Sequence, residues 1–216
     1  MLPFTRDQFF DVFAAYNRAV WPAQVLAGVL GLTLLALLLR PSRGADRFIA
    51  AGLAVLWAWT GIVYHGLYFA RINPAALLFA ALFVLQAAAL CHAALRGGLH
   101  FGTSRTAAAA LGWALLGYAL LAYPLLGLWS GQRYPALPMF GITPCPLTIF
   151  TLGLLALTRG RVAWWLLAIP LGWSLVGGSA AWLLSVPEDW LLALSGLAVL
   201  PRLRRRRDVP SVVPAR

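Results

Sequence analysis

Read as hydrophobic and polar positions, the chain is a succession of long apolar runs separated by short polar ones, without period-two alternation. The pattern predicts seven helices: Trp21 to Leu39, Phe48 to Phe69, Pro74 to Leu95, Thr106 to Trp129, Cys145 to Leu157, Val162 to Leu184 and Pro187 to Leu200. Runs of around 20 apolar residues suit a helix that rises 1.5 Å per residue and must cross roughly 30 Å of hydrocarbon. A spanning segment must satisfy its own backbone, which leaves helices or a closed barrel, and Leu- and Ala-rich runs without alternation exclude the barrel. The expected fold is therefore all-α, a polytopic membrane bundle of about seven helices. Residues 1–20 form an outer interfacial amphipathic helix, 21–201 the transmembrane bundle and 202–216 a basic cytoplasmic tail.

Boundary chemistry agrees with this division. Asn73-Pro74 reads as an N-cap followed by the residue favoured at the first helical position, and Ser185 with Glu188 fits a capping box. Near the start, Arg6, Asp7 and Asp11 alternate with Phe9, Phe10, Val12 and Phe13, which is no signal peptide. Thr5 and Gln8 fit a capping box and Phe4 and Phe9 a hydrophobic staple, so an amphipathic helix starts at Thr5 and serves as an anchor.

Composition removes the soluble alternative. Of 216 residues, 62% are hydrophobic and 11% charged, too few to coat a globule with polar surface. Charge sets the orientation, because cytoplasmic loops carry the basic excess. With seven spans, thirteen of the seventeen basic residues fall on one side, Arg40, Arg43, Arg47, Arg96, Arg105, Arg159, Arg161 and the tail among them. Arg6, Arg18, Arg71 and Arg133 fall on the other. The N-terminus is then outside and the C-terminus cytoplasmic, in a bacterial inner membrane. The Arg202 to Arg207 run reads as a headgroup anchor rather than a nucleic-acid site, since no stacking platform accompanies it.

Polar groups inside hydrocarbon are costly and therefore informative. They are Gln24, His65, Gln86, Cys91, His92 and Cys145 with their hydroxyl neighbours. His65 should lie roughly 6 Å below the outer end of its helix. Cys145 enters from the same side, whereas Cys91 and His92 sit near the cytoplasmic end, too far away for a disulfide. The stretch Tyr134 to Thr151, YPALPMFGITPCPLTIFT, places four prolines before or within the start of a helix of about thirteen residues. At roughly 20 Å that helix is too short to span, so its start should dip below the surface beside Thr143, Cys145 and Thr148. The segment from Pro187 repeats the pattern with Glu188, Asp189 and Trp190, and paired short helices point to a transporter site. Helix 2 offers an opposite wall, with Trp57, Gly61, Tyr64 and Tyr68 on one face and His65 beside it. On helix 6, Ser174 and Gly178 make a small-residue surface for close packing.

The segments YNRAVWPAQ, WAWTGIVYHGLYFARINPAA, YPALPMFGITPCPLTIFTLGLL and GGSAAWLL resemble a family of bacterial multi-pass membrane proteins that is a domain of unknown function. The stretch Thr143 to Pro146 with Thr148 to Thr151, a TPCPxTIFT motif, is the most specific part. The resemblance implies a bacterial membrane location and transfers no catalytic residue.

Three classes of function follow. The first is a small permease or channel-like protein with an outward-facing site between helices 2, 5, 6 and 7. Its binding residues would be His65, Tyr64, Tyr68, Thr143, Cys145, Thr148 and Glu188, with His65 and Cys145 as metal ligands, joined in a cation site by Glu188 and Asp189. The second is an assembly subunit of a membrane complex. The third is a membrane enzyme or redox protein, although no paired-carboxylate, Ser-His-Asp or dithiol signature is present. Retinal is ruled out because the chain has no Lys for a Schiff base, and haem is not expected with His65 and His92 at opposite depths. The expected partners are the lipid bilayer, a small solute or metal ion, and further copies of the chain or other membrane subunits; nucleic acid is not among them.

Overall fold

The computed structural model describes residues 2–103 and 106–199, so Arg105 and the basic tail lie outside the described residues. Helices α1 (Arg6–Ala19), α2 (Ala23–Leu38), α3 (Arg43–Trp59), α4 (Ala76–Arg96) and α5 (Ala107–Gly117) are followed by α6 (Tyr123–Trp129), α7 (Pro144–Ala156), α8 (Trp164–Leu184) and α9 (Trp190–Ser195). Helix α3 continues through a π-helical stretch, Thr60–Tyr68, and a 3₁₀ turn, Phe69–Arg71, to make one rod of 29 residues. A second π turn, Tyr118–Ala122, joins α5 to α6 just ahead of Pro124. Proline lacks the amide and crowds the preceding turn, and a wider turn accommodates both effects.

Among the described residues, four helical rods are long and apolar enough to cross a membrane: Arg43–Arg71, Ala76–Arg96, Ala107–Trp129 and Trp164–Leu184. Helices α1 and α2 form a pair bent by 88°, which raises the number to five at most. The count of seven is therefore corrected. Helix α7 has only 13 residues, and the region expected as a seventh span is broken into Pro187–Asp189, Trp190–Ser195 and Gly196–Val199. Neither reaches roughly 30 Å. Instead, every residue of α7 is buried, so it is a central post enclosed by longer helices. Close approach is possible because Gly112 and Gly153 face each other; a Cβ at Gly112 would stand 2.9 Å from the Gly153 carbonyl oxygen.

The outward surface is apolar, as lipid contact requires. On α2, Ala27, Leu34 and Leu38 are buried while Val25, Leu26, Val29 and Leu32 are exposed, so the helix is apolar all round. The small-residue face of α8 packs as expected: a Cβ on Gly178 would come 2.7 Å from Ala193 Cβ, and one on Gly177 2.7 Å from Leu192.

The N-terminal helix is capped as its sequence predicts. Thr5 Oγ1 accepts from the Gln8 amide, Gln8 Oε1 accepts from the Thr5 amide, and the Phe4 and Phe9 rings stack at 6.0 Å. Its inner face does more than anchor. The Asn17 amide donates to the carbonyls of Pro135 (2.6 Å) and Leu137 (2.8 Å), and the Tyr16 hydroxyl to that of Ile142 (2.8 Å). Trp59 Nε1 completes the clamp by donating to Tyr16 at 2.8 Å. Irregular backbone leading into α7 is thereby satisfied by side chains rather than water. The Ser185–Glu188 capping box does not form, because Ser185 adopts left-handed backbone (φ 54°) as the C-cap of α8.

Candidate functional site

The π-helical stretch determines where His65 points. Gly61, one turn earlier, lies so close to α4 that a Cβ would stand 2.9 Å from Phe83 Cβ and 3.0 Å from the Ala80 carbonyl. This contact presses the stretch against α4 and turns His65 inward, where it is fully buried. Its ring is boxed by aromatic neighbours, with centroid distances of 4.6 Å to Phe83, 5.0 Å to Trp173 and 5.1 Å to Tyr64. Among the described residues, neither His65 nitrogen has a hydrogen-bond partner. A buried imidazole needs one acceptor and one donor, and each unmet group costs about 1–3 kcal/mol. Wide π turns are frequent at functional sites, and this one places an unsatisfied polar ring in an apolar wall.

The wall belongs to a cavity of about 150 Å³. Helix α1 contributes Phe9 and Phe13, α7 contributes Cys145 from its first turn, α8 contributes Trp173, and Asp189 completes the lining from the turn before α9. Cys145 is buried beside Asp189, whose carboxylate accepts from Tyr123 Oη at 2.5 Å. Trp173 Nε1 is buried and has no hydrogen-bond partner among the described residues. Pro144 and Pro146 stand in the first turn of α7, where amides have no helical partner, so the buried end carries fewer stranded donors than an ordinary helix start.

The residues expected from sequence divide. His65, Tyr64 and Cys145 line this one cavity, and Asp189 joins them. Tyr68 faces a separate shallow groove with Gln8 and Asp11, beneath Arg71. Thr143 spends its hydroxyl on the Met139 carbonyl at 2.8 Å. Thr148 is buried in mid-helix with its hydroxyl unpartnered, away from the cavity lining. Glu188 is corrected more sharply, since its side chain turns the other way and accepts from Gln132 Nε2 and from Ser130 Oγ (3.4 Å). Consecutive residues in a 3₁₀ turn project in different directions, so Asp189 reaches the cavity and Glu188 does not. The cation site of four side chains is not assembled: among the described residues, no group of three His, Cys, Asp or Glu side chains is placed to hold a metal.

The family model for DUF6064, a family of unknown function, matches residues 6–212. The chain belongs to DUF6064. No curated protein and no solved structure matches it. Within this DUF6064 chain, then, the cavity must be read from its own chemistry. Sequence reasoning missed Trp173 and the phenylalanines of α1. Trp173 carried a usable signal, because an indole N–H in mid-span needs a partner or a ligand. The phenylalanines carried none, since their spacing equally describes an anchor.

Proposed function

We propose that this chain is a multi-pass protein of the bacterial cytoplasmic membrane, N-terminus outside, that binds a small solute beside His65 and acts as a small permease or channel-like protein. The observation that carries the reading is His65 itself, whose two ring nitrogens lack partners at the wall of a cavity large enough for a ligand. Ionisable groups at membrane depth are costly and commonly line solute or ion paths. The two half-length elements, α7 and the broken stretch from Pro187, meet at the same place, as the discontinuous helices of transporters do. A solute is favoured over a metal ion, because among the described residues no group of three His, Cys, Asp or Glu side chains is placed to hold one.

Reconstituted vesicles test this. In a swelling assay with a panel of small neutral solutes, vesicles containing the protein should admit at least one solute faster than empty vesicles. His65→Ala and Cys145→Ser should remove the difference. Equal rates in protein-free, native and variant vesicles for the whole panel would overturn the reading.

A further inference from the structure

The cavity has a more specific chemistry than its size alone implies. Aromatic rings, Phe13, Tyr64, His65, Phe79 and Trp173 among them, form much of its lining, and its volume of about 150 Å³ matches the scale at which an apolar protein cavity accepts a single benzene-sized ring. At the deep end, the His65 and Trp173 rings stand 5.0 Å apart, and each carries polar nitrogen without a partner. Neutral imidazole supplies one donor and one acceptor, and the indole supplies one donor. A hydroxyl oxygen placed between them donates to one and accepts from the other, and a carbonyl oxygen accepts from both.

Charge argues in the same direction. The Asp189 carboxylate already accepts from Tyr123 Oη at 2.5 Å, so part of its bonding capacity is turned away from a cation entering here. Among the described residues no arginine lines the cavity, so an anion finds no counter-charge there. The mouth is apolar too. On α8 it is bordered by Val176 and Leu183, 45% and 66% exposed, which in a spanning helix face acyl chains rather than water. On the other side it is bordered by Leu2 and Phe9 of the N-terminal region, tied down where Arg6 Nε donates to the Leu184 carbonyl at 3.1 Å.

We infer that the cavity binds an uncharged aromatic molecule of the phenol or quinone class, which enters sideways from the lipid beneath α1 and presents its oxygen to His65 and Trp173. The inference rests on the reading of this cavity as a solute site and names the chemistry of the solute. The ring is held by edge and face contacts with the aromatic wall, and the oxygen discriminates it from hydrocarbon of the same shape.

The full-length protein in nanodiscs, labelled with 5-fluorotryptophan, tests it. The Trp173 fluorine signal is assigned by its absence in Trp173→Phe. Titration with 4-propylphenol should shift that signal saturably, with affinity roughly five- to tenfold above that of propylbenzene, the worth of one net hydrogen bond. The preference should vanish in His65→Phe and persist in part in His65→Gln, which keeps a donor and an acceptor. If propylbenzene binds as tightly as the phenol, or phenyltrimethylammonium binds more tightly, the phenol or quinone class is wrong while the solute site stands. If none of the three moves the signal, both the class and the solute site are wrong.

Discussion

Two buried polar regions flank the start of α7, and they have been treated in opposite ways. In the clamp, Asn17 and Tyr16 donate to the carbonyls of Pro135, Leu137 and Ile142, so irregular backbone is held by matched partners. In the cavity, the His65 nitrogens and the Trp173 N–H are equally removed from solvent and have no partners. The first arrangement stabilises the fold. The second weakens it and is tolerable where a ligand completes the bonding, because a buried polar group costs most when it is left unmatched.

Variants can break or sharpen this contrast. The largest effect is expected at the clamp: Asn17→Ala leaves one buried and one part-buried carbonyl without their donor and should cost about 2–4 kcal/mol, read as a lower midpoint of thermal unfolding in detergent. An unchanged midpoint would show that the clamp does not hold the loop. Gly61→Ala comes next, since its added Cβ meets Phe83 and the Ala80 carbonyl at 2.9 and 3.0 Å; overpacking of this kind costs about 1–3 kcal/mol. It should also lower solute flux, because the π stretch must shift and carry His65 with it.

The third variant has the opposite sign. His65→Phe replaces an unmatched polar ring by an apolar one among aromatic neighbours and should raise stability by about 1 kcal/mol while abolishing flux. A loss of stability instead would mean that His65 is satisfied in the resting protein, and the contrast would collapse. Thr148→Val should do least. Its hydroxyl is buried and unpartnered away from the cavity, so an isosteric apolar side chain should change stability by less than about 1 kcal/mol and leave flux untouched.

Legibility from sequence varied with the range of the interaction. The capping box of Thr5 and Gln8 and the four long rods followed from local pattern, because a cap needs three residues and a span needs one continuous run. The Ser185–Glu188 box failed although its letters fit, since α8 ends in a left-handed residue and the chain turns away. Glu188 and Asp189 were equally plausible site residues on paper. Their separation into a Gln132 partner and a Tyr123 partner depends on a turn direction that packing sets. The count of seven went wrong because hydropathy registers how apolar a segment is and not whether lipid or protein surrounds it: α7 is as apolar as a span and wholly enclosed.

Sequence by itself determined that this chain is helical, that apolar runs long enough to cross a bilayer recur along it, and that its costly polar residues are few. These are properties of continuous segments, governed by periodicity, length and transfer free energy. Only the tertiary structure decided that His65, Cys145, Trp173 and Asp189 share one cavity, that α1 clamps the loop before α7 as well as covering its mouth, and that Glu188 looks elsewhere. Those are outcomes of how helices far apart in sequence meet, set by close approaches at Gly61, Gly112 and Gly178 and by a π turn.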